Sequence, residues 1–157
     1  GLFAGGAAEA AAVRALAAEG AITSAEVSSC VEAGAKGAKA ARALLLKKLK
    51  LAAGEEVPPA AVAATVELCH VVSRRAGRLA AALIVATLER ARWNGPRAVV
   101  AIDGGLYEHH PTFSVEMKAA MEELLGKEGY AKVTCKLSPD GSGLGAALIA
   151  AAATHEE

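Results

Sequence analysis

The sequence predicts a helix-rich α/β chain that closes with a short parallel strand–helix–strand–helix unit. Three observations carry this reading. Apolar residues recur at helical spacing through the first two thirds of the 157 residues. The last third holds two strand-like runs, Ala98 to Ile102 and Ala131 to Leu137. Each run leads into an Asp-Gly sequence, Asp103-Gly104-Gly105 after the first and Asp140-Gly141 after the second. A right-handed crossover makes strands joined through a helix parallel, so both Asp-Gly loops fall on one edge of the sheet. In open α/β sheets ligands bind at that edge.

The helical part is expected over residues 1–92. Ala7 to Ala18 is alanine-rich and stops at Gly20. Thr23-Ser24-Ala25-Glu26 fits a capping box, in which the Thr23 hydroxyl and the Glu26 carboxylate each take the other's free amide, starting a helix to about Glu32. From about Lys36 to Leu51 a further helix has Leu44, Leu45 and Leu49 on one side and Lys36, Lys39, Lys47 and Lys50 elsewhere as a solvated face. Gly54-Glu55-Glu56-Val57-Pro58-Pro59 is a break. A long helix then runs from Pro59 or Ala60 to about Arg92, with Val62, Val66, Cys69 or His70, and Ser73 on one stripe.

The period changes after the turn Trp93-Asn94-Gly95-Pro96, where Trp93 packs at a helix end. Ala98 to Ile102 is wholly apolar, as a buried parallel strand is. A helix follows Pro111, with Phe113, Met117, Ala120, Met121 and Leu124 on one face. His109-His110 reads as the approach to that helix rather than as an acid–base pair. In Ala131 to Leu137, Val133, Cys135 and Leu137 alternate with Lys132, Thr134 and Lys136, which puts this strand nearer an edge.

Composition narrows the functions. With 54% hydrophobic but 3% aromatic residues, the core is built from small aliphatic side chains and its helices pack closely. The 17 basic and 17 acidic residues cancel and are interspersed, so there is no footprint for nucleic acid. Arg74, Arg75 and Arg78 are read as an ion-paired or solvated face. The longest strongly apolar run, Leu79 to Leu88, is half of the roughly 20 residues a membrane span needs. Cys30, Cys69 and Cys135 lack CxxC spacing and read as buried free thiols in a reducing compartment. Gly1-Leu2-Phe3 reads as the interior of a longer protein, with the cytoplasm as the expected location and any targeting region upstream.

The chemistry-bearing stretch is Ser138 to Gly145, expected as a loop that opens into the apolar run Ala146 to Ala150. Gly141, Gly143 and Gly145 let a ligand approach the backbone, and amides converging at a helix start favour negative charge. The pattern points to a phosphorylated ligand, a nucleotide above all. Ser142 serves either the nucleotide or its own helix as a cap. Asp103 either shapes the nucleotide edge or is a turn carboxylate, and Asp140 is read as an Asx-turn former.

Together these segments resemble the C-terminal part of the large domain of eukaryotic hexokinases. Val99 to Phe113, with Asp103-Gly104-Gly105-Leu106-Tyr107 and His110-Pro111, is similar to the family's "V-x-V-D-G-[GST]-[LV]-Y-x-x-[HY]-P-x-F" run. Asp140 to Leu148 resembles its "DGSGxGAAL" loop, and Val71 to Leu79 its "VxxRxAxL" helix. Gly1-Leu2-Phe3 and Thr23 to Ser28 match the expected flanks more loosely.

The resemblance implies an actin-like, ribonuclease-H-like ATPase lobe over residues 1–157, with the nucleotide edge in 97–155. It implies ATP and Mg²⁺ as cofactors, a hexose as partner, and transfer of a phosphoryl group from ATP to the hexose 6-hydroxyl. Nucleotide contacts are implied for Gly141, Ser142, Gly143, Leu144 and Gly145, for Asp103 and Gly104, and for Ser24 and Ser28, with Thr23 and Ser24 both matching the first of the last pair. No catalytic or metal-ligating residue is expected in this stretch. The family's "DxGGT" phosphate loop, sugar loop and catalytic Asp are not among the 157 residues, and Asp103-Gly104-Gly105 lacks the Thr. These residues by themselves are therefore expected to be inactive. The alternatives are a non-catalytic sugar or nucleotide sensor, and a helical interaction domain whose two strands do not pair.

Overall fold

A computed structural model describes residues 14–51, 56–138 and 140–153. The expected Ala7 to Ala18 helix lies largely outside the described residues, and only 14–17 are seen as helical. The chain divides into two compact units, Gly1–Arg75 and Ala76–Glu157.

In the first unit, helix α1 (Ser24–Cys30) starts as the capping box requires. Thr23 Oγ1 accepts from the Glu26 amide at 3.2 Å, and Glu26 Oε2 accepts from the Thr23 amide at 2.9 Å. Glu26 also pairs with Lys47 at 3.2 Å and Lys48 at 3.1 Å. The backbone amide and the two ammonium groups hold its carboxyl down at about 2. The helix stops at Cys30, short of Glu32, because Val31 takes φ −94°, ψ 4° and leaves the helical ladder.

Helix α2 (Ala35–Lys48) buries Gly37, Ala41, Leu44 and Leu45, while Lys36, Lys39, Lys47 and Lys50 are exposed. Leu49 is the C-cap rather than a core residue. Helix α3 (Pro59–Arg90) contributes Val62, Val66 and Cys69 to a cluster with Cys30, Val31, Ala41 and Leu44. The stripe expected from spacing is present, and it is Cys69 rather than His70 that is buried. Ser73 is buried as well, its hydroxyl donating to the Cys69 carbonyl at 2.8 Å.

In the second unit, strands β1 (Ala98–Ile102) and β2 (Val133–Leu137) pair in parallel, with Val100 opposite Cys135 and Ile102 opposite Leu137. This pairing overturns the interaction-domain reading. Ala131 and Lys132, expected in the strand, instead close the preceding helix, their amides bonding to Lys127 and Gly129. Between the strands lie a five-residue helix, α4 (Gly105–His109), which the sequence reading missed, and α5 (Phe113–Tyr130).

Phe113, Met117, Ala120 and Met121 of α5 are buried against Ala81, Val85 and Val133. The expected fifth member, Leu124, is 56% exposed and Leu125 packs on the core instead. Just beyond them the helical register breaks at Gly126, with φ 68°. Trp93 packs on the same cluster. β1 is less enclosed than its apolar sequence suggests: Ala98, Val100 and Ile102 face the core, whereas Val99 is 64% exposed.

Gly77 fixes how closely α3 and α5 approach. A Cβ there would lie 2.9 Å from the Glu116 Cβ and 3.0 Å from the Met117 amide nitrogen and the Phe113 carbonyl oxygen. Only a residue without a side chain permits that backbone contact. Further along the same helices, Arg78 binds Glu123 through two bonds of 3.0 and 2.7 Å. The ion-paired reading therefore holds for Arg78.

Candidate functional site

Because the strands are parallel, Ile102 and Leu137 end side by side, and the Ser138 amide donates to the Ile102 carbonyl at 2.9 Å to extend the ladder. The chain then leaves both strands on the same edge. After β1, Asp103 is followed by Gly104 at φ 123°, ψ 144°, a conformation that favours glycine, and α4 begins. After β2, Asp140 sits at φ 52° and α6 (Gly141–Ala153) begins at once.

The glycine stretch is therefore not a loop ahead of a helix. Gly141 to Gly145 form the first turns of α6, closed by the Leu144 amide donating to the Asp140 carbonyl at 2.9 Å. Glycine is a poor helix former, and for that reason the sequence reads as loop. The turn meets the end of β1. The Ser142 hydroxyl donates to Asp103 Oδ2 at 3.4 Å. A Cβ on Gly141 would come within 3.3 Å of that same oxygen.

At Gly143 the nearest atoms belong to a movable side chain. A Cβ there would lie 2.5 and 2.6 Å from the two carboxylate oxygens of Asp140, which folds over this first turn. The start of α6 is thus faced by two carboxylates, Asp103 at Gly141 and Asp140 at Gly143. They offset the positive end of the helix dipole and present acceptors for hydroxyl and amino donors.

Of the expected site residues, Asp103, Gly104, Gly141, Ser142 and Gly143 gather at this edge. Leu144 is 61% exposed, and a Cβ on Gly145 would meet nothing within 4 Å. Ser24 and Ser28 lie on α1, in the other unit. Among the described residues no group of three or more His, Cys, Asp and Glu side chains gathers to hold a metal ion.

His110 has a structural role. Its Nδ1 accepts from the amides of Thr112 at 3.3 Å and Phe113 at 3.2 Å, capping α5. Thr112 occupies the cap position but makes no side-chain cap bond. Burial lowers the His110 pKa below its ordinary value, which keeps Nδ1 free to accept.

In open α/β sheets ligands bind at the edge where parallel strands end, and here each strand ends in an Asp-Gly step on that edge. The hexokinase family model matches residues 1–152. The chain is 52% identical over 91 residues to hexokinase-7 of Oryza sativa subsp. japonica, a match covering 55% of this chain and 20% of that protein. It is 50% identical over 100 residues to hexokinase-1 of the same organism, covering 60% and 20%. To the chloroplastic hexokinase-2 of Nicotiana tabacum it is 45% identical over 98 residues, covering 59% and 20%. The chain belongs to the hexokinase family. It spans about a fifth of the length of these curated relatives. Among the described residues no helix is long and apolar enough to cross a membrane.

Proposed function

We propose that this chain forms the nucleotide-facing wall of an ATP-dependent hexokinase, within an actin-like, ribonuclease-H-like lobe. The observation that carries the reading is the meeting of Asp103, Gly141 and Ser142 at the shared end of two parallel strands. The wall fits the nucleoside end of ATP better than its phosphates. Carboxylates repel phosphate, whereas Asp103 accepts from ribose hydroxyls, and at Gly145, where a Cβ would meet nothing within 4 Å, the backbone lets a flat base lie close. On α1 the Thr23 hydroxyl is engaged in the capping box with Glu26.

In the full reaction ATP gives its terminal phosphoryl group to the 6-hydroxyl of a hexose, with Mg²⁺ carried on the phosphates. These 157 residues bind and orient the nucleotide, and the proton-accepting Asp and phosphate loop come from elsewhere in the enzyme. Two experiments test this. In a full-length hexokinase carrying this segment, Gly143→Val should raise the ATP KM markedly and leave glucose binding nearly intact. An unchanged KM would remove the wall assignment. Assayed alone with ATP, Mg²⁺ and glucose, the 157 residues should form no glucose 6-phosphate, and sustained turnover would refute the division of labour.

A further inference from the structure

The basic residues of this chain are not spread evenly. With 17 basic and 17 acidic residues the whole is neutral, yet residues 33–54 hold Lys36, Lys39, Arg42, Lys47, Lys48 and Lys50 and no Asp or Glu. All six lie on or just past α2, a helix about 21 Å long. At about 100° per residue, Lys36, Lys39, Ala43 and Lys47 share one arc of about 80°. These four are exposed, whereas Gly37, Ala41, Leu44 and Leu45 on the far side are buried. A charged face that only solvates a helix usually mixes the two signs, and this one carries a single sign.

The charge is also uncompensated. Among the described residues Glu26 is the acid paired with α2, at 3.2 Å from Lys47 and 3.1 Å from Lys48, one carboxylate for two ammonium groups. Lys36, Lys39, Arg42 and Lys50 form no ion pair with a described residue. Beside the stripe lies an open cavity of about 320 Å³ between α1 and α2. Ala25, Ala40, Ala43 and Leu44 give it an apolar lining, and Lys47 lies at it too. Hydrocarbon is accommodated there directly beside the cations.

We propose that the face of α2 bearing Lys36, Lys39 and Lys47 is a docking surface for a bilayer that carries anionic phospholipid. Anionic headgroups meet the ammonium groups, the lysine stems lie along the aliphatic part of the interface, and the alanine-lined cavity takes hydrocarbon from it. Ala41 and Leu44 of α2 stay in the protein core, so the helix lies on the surface and does not enter it. The same cavity argues against a polynucleotide, which has no aliphatic chain to fill it. Nor does α2 hold an aromatic side chain on which a base could stack. The inference does not rest on the proposed function, because α1 and α2 belong to the other unit from Asp103 and α6.

Each lysine close to an anionic leaflet contributes about fivefold in affinity, and salt screens the attraction. The test is co-sedimentation of the 157-residue chain with phosphatidylcholine vesicles, with and without phosphatidylserine. The chain should pellet with the anionic vesicles at low salt and stay in solution with the neutral ones. It should be released when salt shortens the Debye length to about 3 Å. Lys36→Ala combined with Lys39→Ala should weaken binding about twenty-five-fold, and alanine keeps both exposed positions helical. Lys132→Ala combined with Lys136→Ala, exposed in the other unit, should change nothing. Equal pelleting with neutral vesicles, no pelleting with anionic ones, or undiminished binding by the α2 double variant would overturn the proposal. So would a DNA duplex, at the same phosphate concentration, binding as tightly as the anionic vesicles.

Discussion

The Ser142 hydroxyl donates to Oδ2 of Asp103 at 3.4 Å, tying the first turn of α6 to the end of β1. That distance is long for a hydroxyl–carboxylate bond, and the contact is exposed, so it aligns the two segments rather than clamping them. Ser142→Ala should lower stability by about 1 kcal/mol or less. Urea unfolding checks this, and a larger loss would mean that the contact supports the fold and not only the edge.

Gly77 is the opposite case, a position where space decides. Its missing side chain lets α3 reach the backbone of Phe113 and Met117. Gly77→Val should destabilise the chain by about 1–3 kcal/mol or more, because backbone atoms cannot yield as side chains do. Equilibrium denaturation should show a lower midpoint with an unchanged slope.

The register of α5 makes a paired prediction. Met121 is fully buried and Leu124 is 56% exposed. Met121→Ala should cost about 2–5 kcal/mol and Leu124→Ala under about 1 kcal/mol. Equal costs would contradict the placement of Leu124 outside the core.

What could be read in the sequence follows the range of the forces involved. The capping box at Thr23 and Glu26 is local, and it formed as expected. The parallel unit was legible because an apolar run, a helix and an alternating run leave few other arrangements. The start of α6 was not: three glycines in five residues argue against a helix, and Asp103, which meets that turn, is far away in sequence. Nor was α4, since a single turn after Gly104-Gly105 has no room for a periodic signal. The exposure of Leu124 and the burial of Cys30 and Cys69 in one cluster are tertiary facts, and no local pattern encodes them.

Acid should act through Glu26. Its carboxyl is held at about 2 against an ordinary 4.5, so its contribution is fully present above pH 4.5 and is lost as pH falls through about 2. Carbon-13 NMR titration of Glu26 should find that low value, and Thr23→Ala should move it upward. His110 acts at higher pH with the same sign. Its lowered pKa means that stability is intact above about 6.5 and declines as pH falls below it, when the unfolded chain binds a proton that the buried ring resists. His110→Gln should flatten that part of the stability profile.

Nucleotide binding at the start of α6 can be measured directly. Amide chemical shifts of the 157-residue chain, recorded as ATP is added, measure it. The Asp103, Gly104 and Gly141 to Gly145 amides should move together and saturate. In Gly143→Val, where the new Cβ displaces the Asp140 carboxylate, that response should be lost while the rest of the spectrum stays folded. If ATP leaves those amides still, or moves them equally in the variant, this edge is not the nucleotide wall.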